Sequence, residues 1–353
     1  MSVSSVLPGA VSADPPDQAV AGHLGDPTAE QRAAERDVAV VDRSHRGVVL
    51  VEGPDRLDWL HQLTTQALTD LPPGVPTETL VLSPHGHVEH HIELIDDGAR
   101  TWLLLEPGDA APLATWLDRM RFLTRVDVRE ESDRWAMLTL LGPNAAGHLA
   151  ALEPALIRPR RWPDGALDLL IPRADAGAAL AALAAAGVSA AGHDAFEALR
   201  VAGGHARLHV DTDAKTLVHE AGWITPALHL AKGCYRGQET VARVHNLGRP
   251  PRRLVQVHLD GSGVLLAPRG TLLTSSGQPD GKTSSGQPAG RLTSVVRHHE
   301  LGPIGLAVLK SRIPLDAPLV ALPEEGEPVA VAIERDLSSP TAPVDLSGIR
   351  PRR

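Results

Sequence analysis

The sequence predicts an α+β protein that ends in a small all-β domain. Two observations carry this. Up to about residue 249, apolar runs with strand-like alternation recur between segments of helical period. Beyond residue 250 the helical period disappears, and short apolar runs alternate with Gly/Pro turns up to about 335.

Taken in order, residues 1–27 are rich in Pro, Gly, Ser and Asp without periodicity and read as a disordered arm. A helix is expected from Thr28, with Gln31 completing a capping box. "GVVLVEG" reads as a strand, and "PDRLDWLHQLTTQAL" as a helix with Leu57, Leu60 and Leu63 on one face. "ETLVLSPHGHVEHHIELIDDGARTWLLLEPG" gives three strands joined by tight turns. "DAAPLATWLDRMRF" is helical and "LTRVDVRE" extended. "WAMLTLLG", "PNAAGHLAAL", "ALDLLIP" and "DAGAALAALAAAG" then alternate strand and helix in a unit of ferredoxin-like size. "HDAFEALRVAG" is a further helix. In the β region, "TSSGQPDGK" and "TSSGQPAGR" are tandem copies over 274–291, read as a duplication that lengthens a hairpin loop. The tail 336–353 reads as disordered.

Composition narrows the function. Apolar residues make up 42% and charged residues 22%, as in ordinary globular proteins. A net charge of −9 argues against a free-standing nucleic-acid binder. The basic run "GRPPRRL" (248–254) reads as a solvated linker. One cysteine excludes an internal disulfide. No apolar run approaches the ~18 residues of a membrane span, and the first residues lack a signal-peptide pattern. The expectation is a cytoplasmic protein with a reduced thiol.

That thiol, Cys234, and the single tyrosine, Tyr235, are adjacent in "LAKGCYRGQETVARVHNLGR" (230–249). Gly233 and Gly237 bracket them and allow a tight turn that presents the side chains between. Lys232 and Arg236 place positive charge near the thiol, which favours thiolate. Gln238 and Glu239 offer hydrogen-bonding groups to a ligand or to the loop. "TVARVH" alternates like a strand. Read from the residues alone, a small buried cysteine and a reactive one both remain open. A single cysteine cannot hold a cluster that takes about four ligands, although it can contribute one ligand or form a mixed disulfide.

"KGCYRGQE", Lys232 to Glu239, resembles the signature of the YgfZ family of folate-binding proteins, relatives of the glycine cleavage T-protein and of iron–sulfur assembly factors. The resemblance extends over about residues 36–335. "LVEGPDRLDWLHQLTTQAL", "LLGPNAAGHLAAL", "EALRVAGG", "LVHEAGW" and "GRLTSVVRHHELGPIGLAVLK" also resemble that family's segments. It implies a three-domain ring: two interleaved α+β domains over 28–249 and a C-terminal antiparallel barrel over 250–335. Tetrahydrofolate would bind in the central channel. It further implies a role in making or repairing iron–sulfur proteins, mainly [4Fe–4S] ones, with a link to tRNA thiolation by such enzymes. An iron–sulfur cluster would be held only transiently, if at all. The partners would be folate and iron–sulfur client or assembly proteins, with no direct nucleic acid and no membrane. Cys234 carries the chemistry with Lys232 beside it, and Tyr235, Gln238, Glu239, Arg200, Glu220 and His90 are expected at the folate.

The alternative is a folate-dependent aminomethyltransferase of the T-protein type. Against it, His90 and His91 in "GHVEHHIEL" fall where T-protein has an acidic pair, and Ala202 where it tends to have a glutamate. The run His85, His87, Glu89, His90, His91 also raises a zinc reading. Strand alternation opposes it, because His90 points with Val88 and Ile92, and His91 with Glu89 and Glu93. Glu197 and Arg200 can pair on a helix surface, Asp211 reads as a loop residue and Glu220 as a turn or cap.

Overall fold

The computed structural model describes residues 7–261, 266–275 and 287–338. The arm is where it first departs from expectation. β1 (Val11–Ser12) and β2 (Ala21–His23) pair as an antiparallel hairpin. Val20 and Ala21 are buried beneath it, and so is Asp17. A few anchoring residues hold a segment whose overall composition is that of a disordered chain. Residues 1–6 lie outside the described residues. α1 (Pro27–Arg36) is capped by Asp26, which accepts from the N–H groups of Thr28 and Ala29. The expected Thr28–Gln31 box gives way because the Gln31 amide is spent elsewhere, on Arg297 O and the N–H of His299.

β3 (Ala39–Asp42) is followed by β4 (Gly47–Glu52), α2 (Arg56–Leu63), β5 (Thr77–Leu82), β6 (Val88–Asp96), β7 (Arg100–Leu105), α3 (Ala110–Arg119) and β8 (Asp127–Glu130). An antiparallel sheet forms in the order β5-β6-β7-β4-β8. α2 and α3 cover one face with Trp59, Leu60, Leu113 and Leu117. α2 is shorter than its apolar pattern suggested. It stops where Thr64 turns to extended backbone, and the Lys232 ammonium donates to the carbonyls of His61, Thr64 and Gln66 there.

β9 (Trp135–Leu141), β10 (Leu156–Pro159), β11 (Leu167–Pro172), α4 (Ala176–Ala185), β12 (Ser189–Ala191) and α5 (His193–Gly203) follow. The segment Ala145–Ala151, expected to be an α-helix, is 3-10 helix. The second sheet runs β10-β11-β9-β3-β12, with β12 parallel to β3. β3 thus precedes the first sheet in the chain and belongs to the second, so the two units interleave. They meet through Val48, Leu50, Trp102 and Leu104 against Met137 and Leu170.

A mostly irregular stretch with α6 (Ile224–Ala227) and α7 (Gln238–Leu247) leads to β13 (Arg252–Leu259), β14 (Leu272–Ser275), β15 (Gln287–His298), β16 (Gly302–Lys310), β17 (Leu319–Leu322) and β18 (Val329–Asp336). These six strands close an antiparallel barrel, β13-β16-β15-β14-β17-β18. The architecture is therefore α+β with a C-terminal barrel, as the change of texture near residue 250 predicts. α7 corrects the strand expected for "TVARVH", and its Val241 is buried in one cluster with Tyr235. The "GRPPRRL" run is only partly a solvated linker, since Arg252 pairs with Asp213 and Glu220. β14 and β15 pair directly, with Ser275 opposite Gln287, and each includes one end of the duplicated segment 274–291. The connection 276–286, like the tail beyond 338, lies outside the described residues. α5 docks on the barrel through Val201, packed with Leu254, Ile304 and Leu306. No helix among the described residues is long and apolar enough to cross a membrane.

Lys232→Met keeps the apolar stem and removes the donor shared by three carbonyls. Leaving buried acceptors unsatisfied is expected to cost about 1–3 kcal/mol. The urea midpoint reads this loss, and an unchanged midpoint would refute the capping role.

Candidate functional site

The two sheets, α5 and the stretch 204–226 enclose a cavity of about 380 Å³. Its walls combine flat rings with charges. His91, on β6, stacks on Trp223 with ring centroids 4.6 Å apart and planes 19° from parallel. The same imidazole bonds Glu78 through Nε2 at 2.9 Å. Trp162 lines the cavity too, with its ring 4.6 Å from that of His205. Strand alternation puts His91 and Glu93 on this face together.

The charges are paired with one another. Glu93 faces Arg46, Arg158 and Arg160. Asp168 takes Arg43, Arg158 and Arg160. Glu106 is shared by Arg46 and Arg207, and Glu197 by Arg200 and Arg207. Burial works to raise the Glu93 carboxyl, but Arg160, Arg158, Arg46 and Arg43 outweigh it and hold it well below the usual range. The same contest leaves Glu197 at about 2, with Arg200 and Arg207 overriding burial. These carboxylates are therefore ionised acceptors. His91 and Glu78 form an imidazole–carboxylate pair on the cavity wall.

Of the residues expected at the folate, Arg200 lines the cavity, bonded to Glu197, Asp211 and Ser294. Glu220 does not line it. It is buried one residue away from the lining residue Ala221 and is bound to Arg252. His90 is also outside, on the opposite face of β6, with Nδ1 4.0 Å from Asp109 Oδ2. The histidine of this pair that enters the cavity is His91. The four histidines of "HGHVEHH" do not converge: His85 lies exposed at the turn and the rings of His85 and His87 are 6.2 Å apart.

The cysteine loop stands apart from the cavity. Cys234 is exposed, and none of Lys232, Cys234, Tyr235, Gln238 and Glu239 lines the cavity. Tyr235 is buried against Leu80, Leu82 and Val241. Gln238 opens α7, donating its backbone N–H to Tyr235 O, and Glu239 is exposed. The two cations expected to activate the thiol are committed elsewhere, Lys232 to the end of α2 and Arg236 to Glu89 at 3.2 Å. Burial also pulls the Lys232 ammonium down to about 8. Gly237 has a φ of +82°, and a Cβ there would lie 2.6 Å from Ser83 O. That glycine lets the loop close against the β5–β6 turn and holds Cys234 on a fixed mount.

The sequence reading missed Arg43, Arg46, Arg158, Arg160 and Arg207, and the ring pair His91–Trp223. The available signal was the density of arginine beside strand ends, in "DRSHR" and "RPRRW".

Known proteins bear on this architecture. Residues 25–158 match the family model of the GCVT N-terminal domain. A protein of Arabidopsis thaliana, provisionally named a chloroplastic transferase, is 24% identical over 279 residues, covering 71% of this chain and 62% of its own length. The aminomethyltransferase of Methylococcus capsulatus is 26% identical over 279 residues, covering 72% of this chain and 76% of its own. That of Thermus thermophilus is 30% identical over 199 residues, 50% of this chain and 56% of its own. The crystal structure of aminomethyltransferase T of the glycine cleavage system from Bartonella henselae superposes with a TM-score of 0.73 at 19% identity, covering 87% of this chain and 88% of that one. The chain thus carries a GCVT N-terminal domain, has aminomethyltransferase-like homologues, and shares the fold of glycine cleavage aminomethyltransferase T.

Proposed function

We propose that the chain binds tetrahydrofolate in the central cavity and serves as an accessory factor for assembling or repairing iron–sulfur proteins, chiefly [4Fe–4S] ones, through Cys234. The folate half rests on the cavity. Its volume of about 380 Å³ falls within the ~300–1,000 Å³ usual for small-molecule sites. The ring pair Trp223–His91 gives a pterin a face to stack on, and the lining offers guanidinium donors beside carboxylate acceptors. The residues present therefore suit a flat heterocycle with polar edges.

The iron–sulfur half rests on the "KGCYRGQE" resemblance and on the placing of its thiol. Cys234 is exposed and not among the cavity-lining residues, so its chemistry belongs to an encounter with a partner protein. A second reading, aminomethyl transfer, is favoured by one observation. The His91–Glu78 pair faces the cavity in the segment where the T-protein resemblance places acidic residues.

Tetrahydrofolate titration, followed by tryptophan fluorescence, is expected to saturate. Trp223→Ala should weaken binding about 30-fold, the effect of losing an anchoring aromatic worth about 2 kcal/mol. An unchanged affinity would remove the cavity from the account. Cys234→Ser should bind folate as the parent chain does, yet fail to restore [4Fe–4S] enzyme activity in cells deleted for the gene. Equal rescue by both chains would end the iron–sulfur reading. Aminomethyl transfer abolished by His91→Ala would then identify the second one.

A further inference from the structure

We propose that Asp17 is a built-in occupant of a carboxylate-binding pocket made by Arg207, His45 and His193, and that the hairpin tip carrying it is a strap that a small carboxylate ligand displaces. The tip shows an unusual pattern of burial. Asp14, Pro15, Pro16, Gln18 and Ala19 are exposed, and Asp17 among them is 5% exposed. A surface turn has sent one charged side chain inward, against the ordinary preference of aspartate for water.

That side chain meets a complete recognition set. Arg207 donates Nη2–H to Oδ1 at 2.8 Å and Nη1–H to Oδ2 at 2.9 Å. His45 Nε2 lies 2.8 Å from Oδ1, and His193 Nε2 lies 3.3 Å from Oδ2. A guanidinium fork with two imidazoles around one planar carboxylate reads carboxylates by shape as well as charge. Arg207 also binds Glu106 and Glu197. Those two acids each have a further arginine, Arg46 and Arg200, whereas Arg207 is the arginine that Asp17 pairs with.

The strap is separable from its base. β2 stays fixed by buried Val20 and Ala21 and by its close approach to Gly192, where a Cβ would meet Gly22 O at 2.0 Å. The tip residues Asp14 to Asp17 border a second cavity of about 310 Å³, whose walls include Arg207, His193, Thr293 and Ser294. Swinging the tip out on β2 would uncover, within this cavity, the guanidinium edge of Arg207 that Asp17 occupies. Asp17, His45 and His193 are also close enough together to suggest a metal. Arg207 opposes that, because a cation would sit against the guanidinium that already spans both carboxylate oxygens.

The test uses the full chain with Asp17→Ala and sodium acetate as probe. A tethered carboxylate competes at an effective concentration in the ~mM range, so acetate is titrated to about ten times that level. The variant's melting midpoint is expected to rise saturably by about 3 °C with acetate and not with chloride at equal ionic strength, while the parent chain needs higher acetate for the same rise because Asp17 competes for the pocket. A variant that responds to acetate no more than to chloride overturns the pocket. Should Asp17→Ala not fold, Asp17→Asn decides by hydrogen exchange. Amides of 17–19 should exchange at least about 10-fold faster than in the parent while those of 21–23 stay unchanged, since only the tip opens. Unchanged exchange at the tip overturns the strap.

Discussion

A continuous lattice of buried ion pairs joins the sheets, α5 and the barrel. It starts at Glu93 and Asp168, held by Arg43, Arg46, Arg158 and Arg160. It passes through Glu106 to Arg207, through Glu197 to Arg200, and on to Asp211. Asp211 accepts from Thr293 and Ser294 of β15, a barrel strand. Desolvating so many charges is costly, and such a lattice contributes little net stability over an apolar core of equal volume. Breaking it at one point is another matter, because the partner left behind is a buried unpaired charge. The two sheets, α5 and the barrel are thereby tied to one another around the cavity.

The lattice also explains how the cavity can be crowded with arginine in a chain of net charge −9. Arg43, Arg46, Arg158, Arg160, Arg200 and Arg207 are met by carboxylates from other elements, so the walls offer directed donors and acceptors in place of a bare positive field. The rings of Trp223, His91 and Trp162 lie among them. Shape and hydrogen-bond direction, more than charge, select what such a cavity holds.

Sequence reading succeeded where local pattern and tertiary role coincide. The alternation over 77–105 and the Gly/Pro-punctuated runs after 250 are periodic because each strand has an apolar inner face. It failed where one residue overrides its neighbours. Asp17 fixes a tip of disorder-like composition, and α7 forms where Val241 and Val244 stand three residues apart, a helical spacing in a run whose β-branched residues suggest a strand. The site was half legible. Arg200 could be read as a cavity residue. The choice of His91 over His90 needed the cavity to be seen, since alternation separates the two faces without saying which is lined. Lys232 was misassigned because adjacency in sequence suggested a thiol partner, while the chain folds its ammonium back onto the end of α2.

The mount of the signature loop has a practical corollary. Cys234 is the sole thiol of the chain and is exposed. Its backbone is clamped on one side by Lys232 and on the other by the contact of Gly237 with Ser83 and Gly86. A maleimide dye or nitroxide attached there would label one known point without mutagenesis. Its orientation would report tumbling of the whole molecule, making the position a natural fixed end for distance measurements to the barrel.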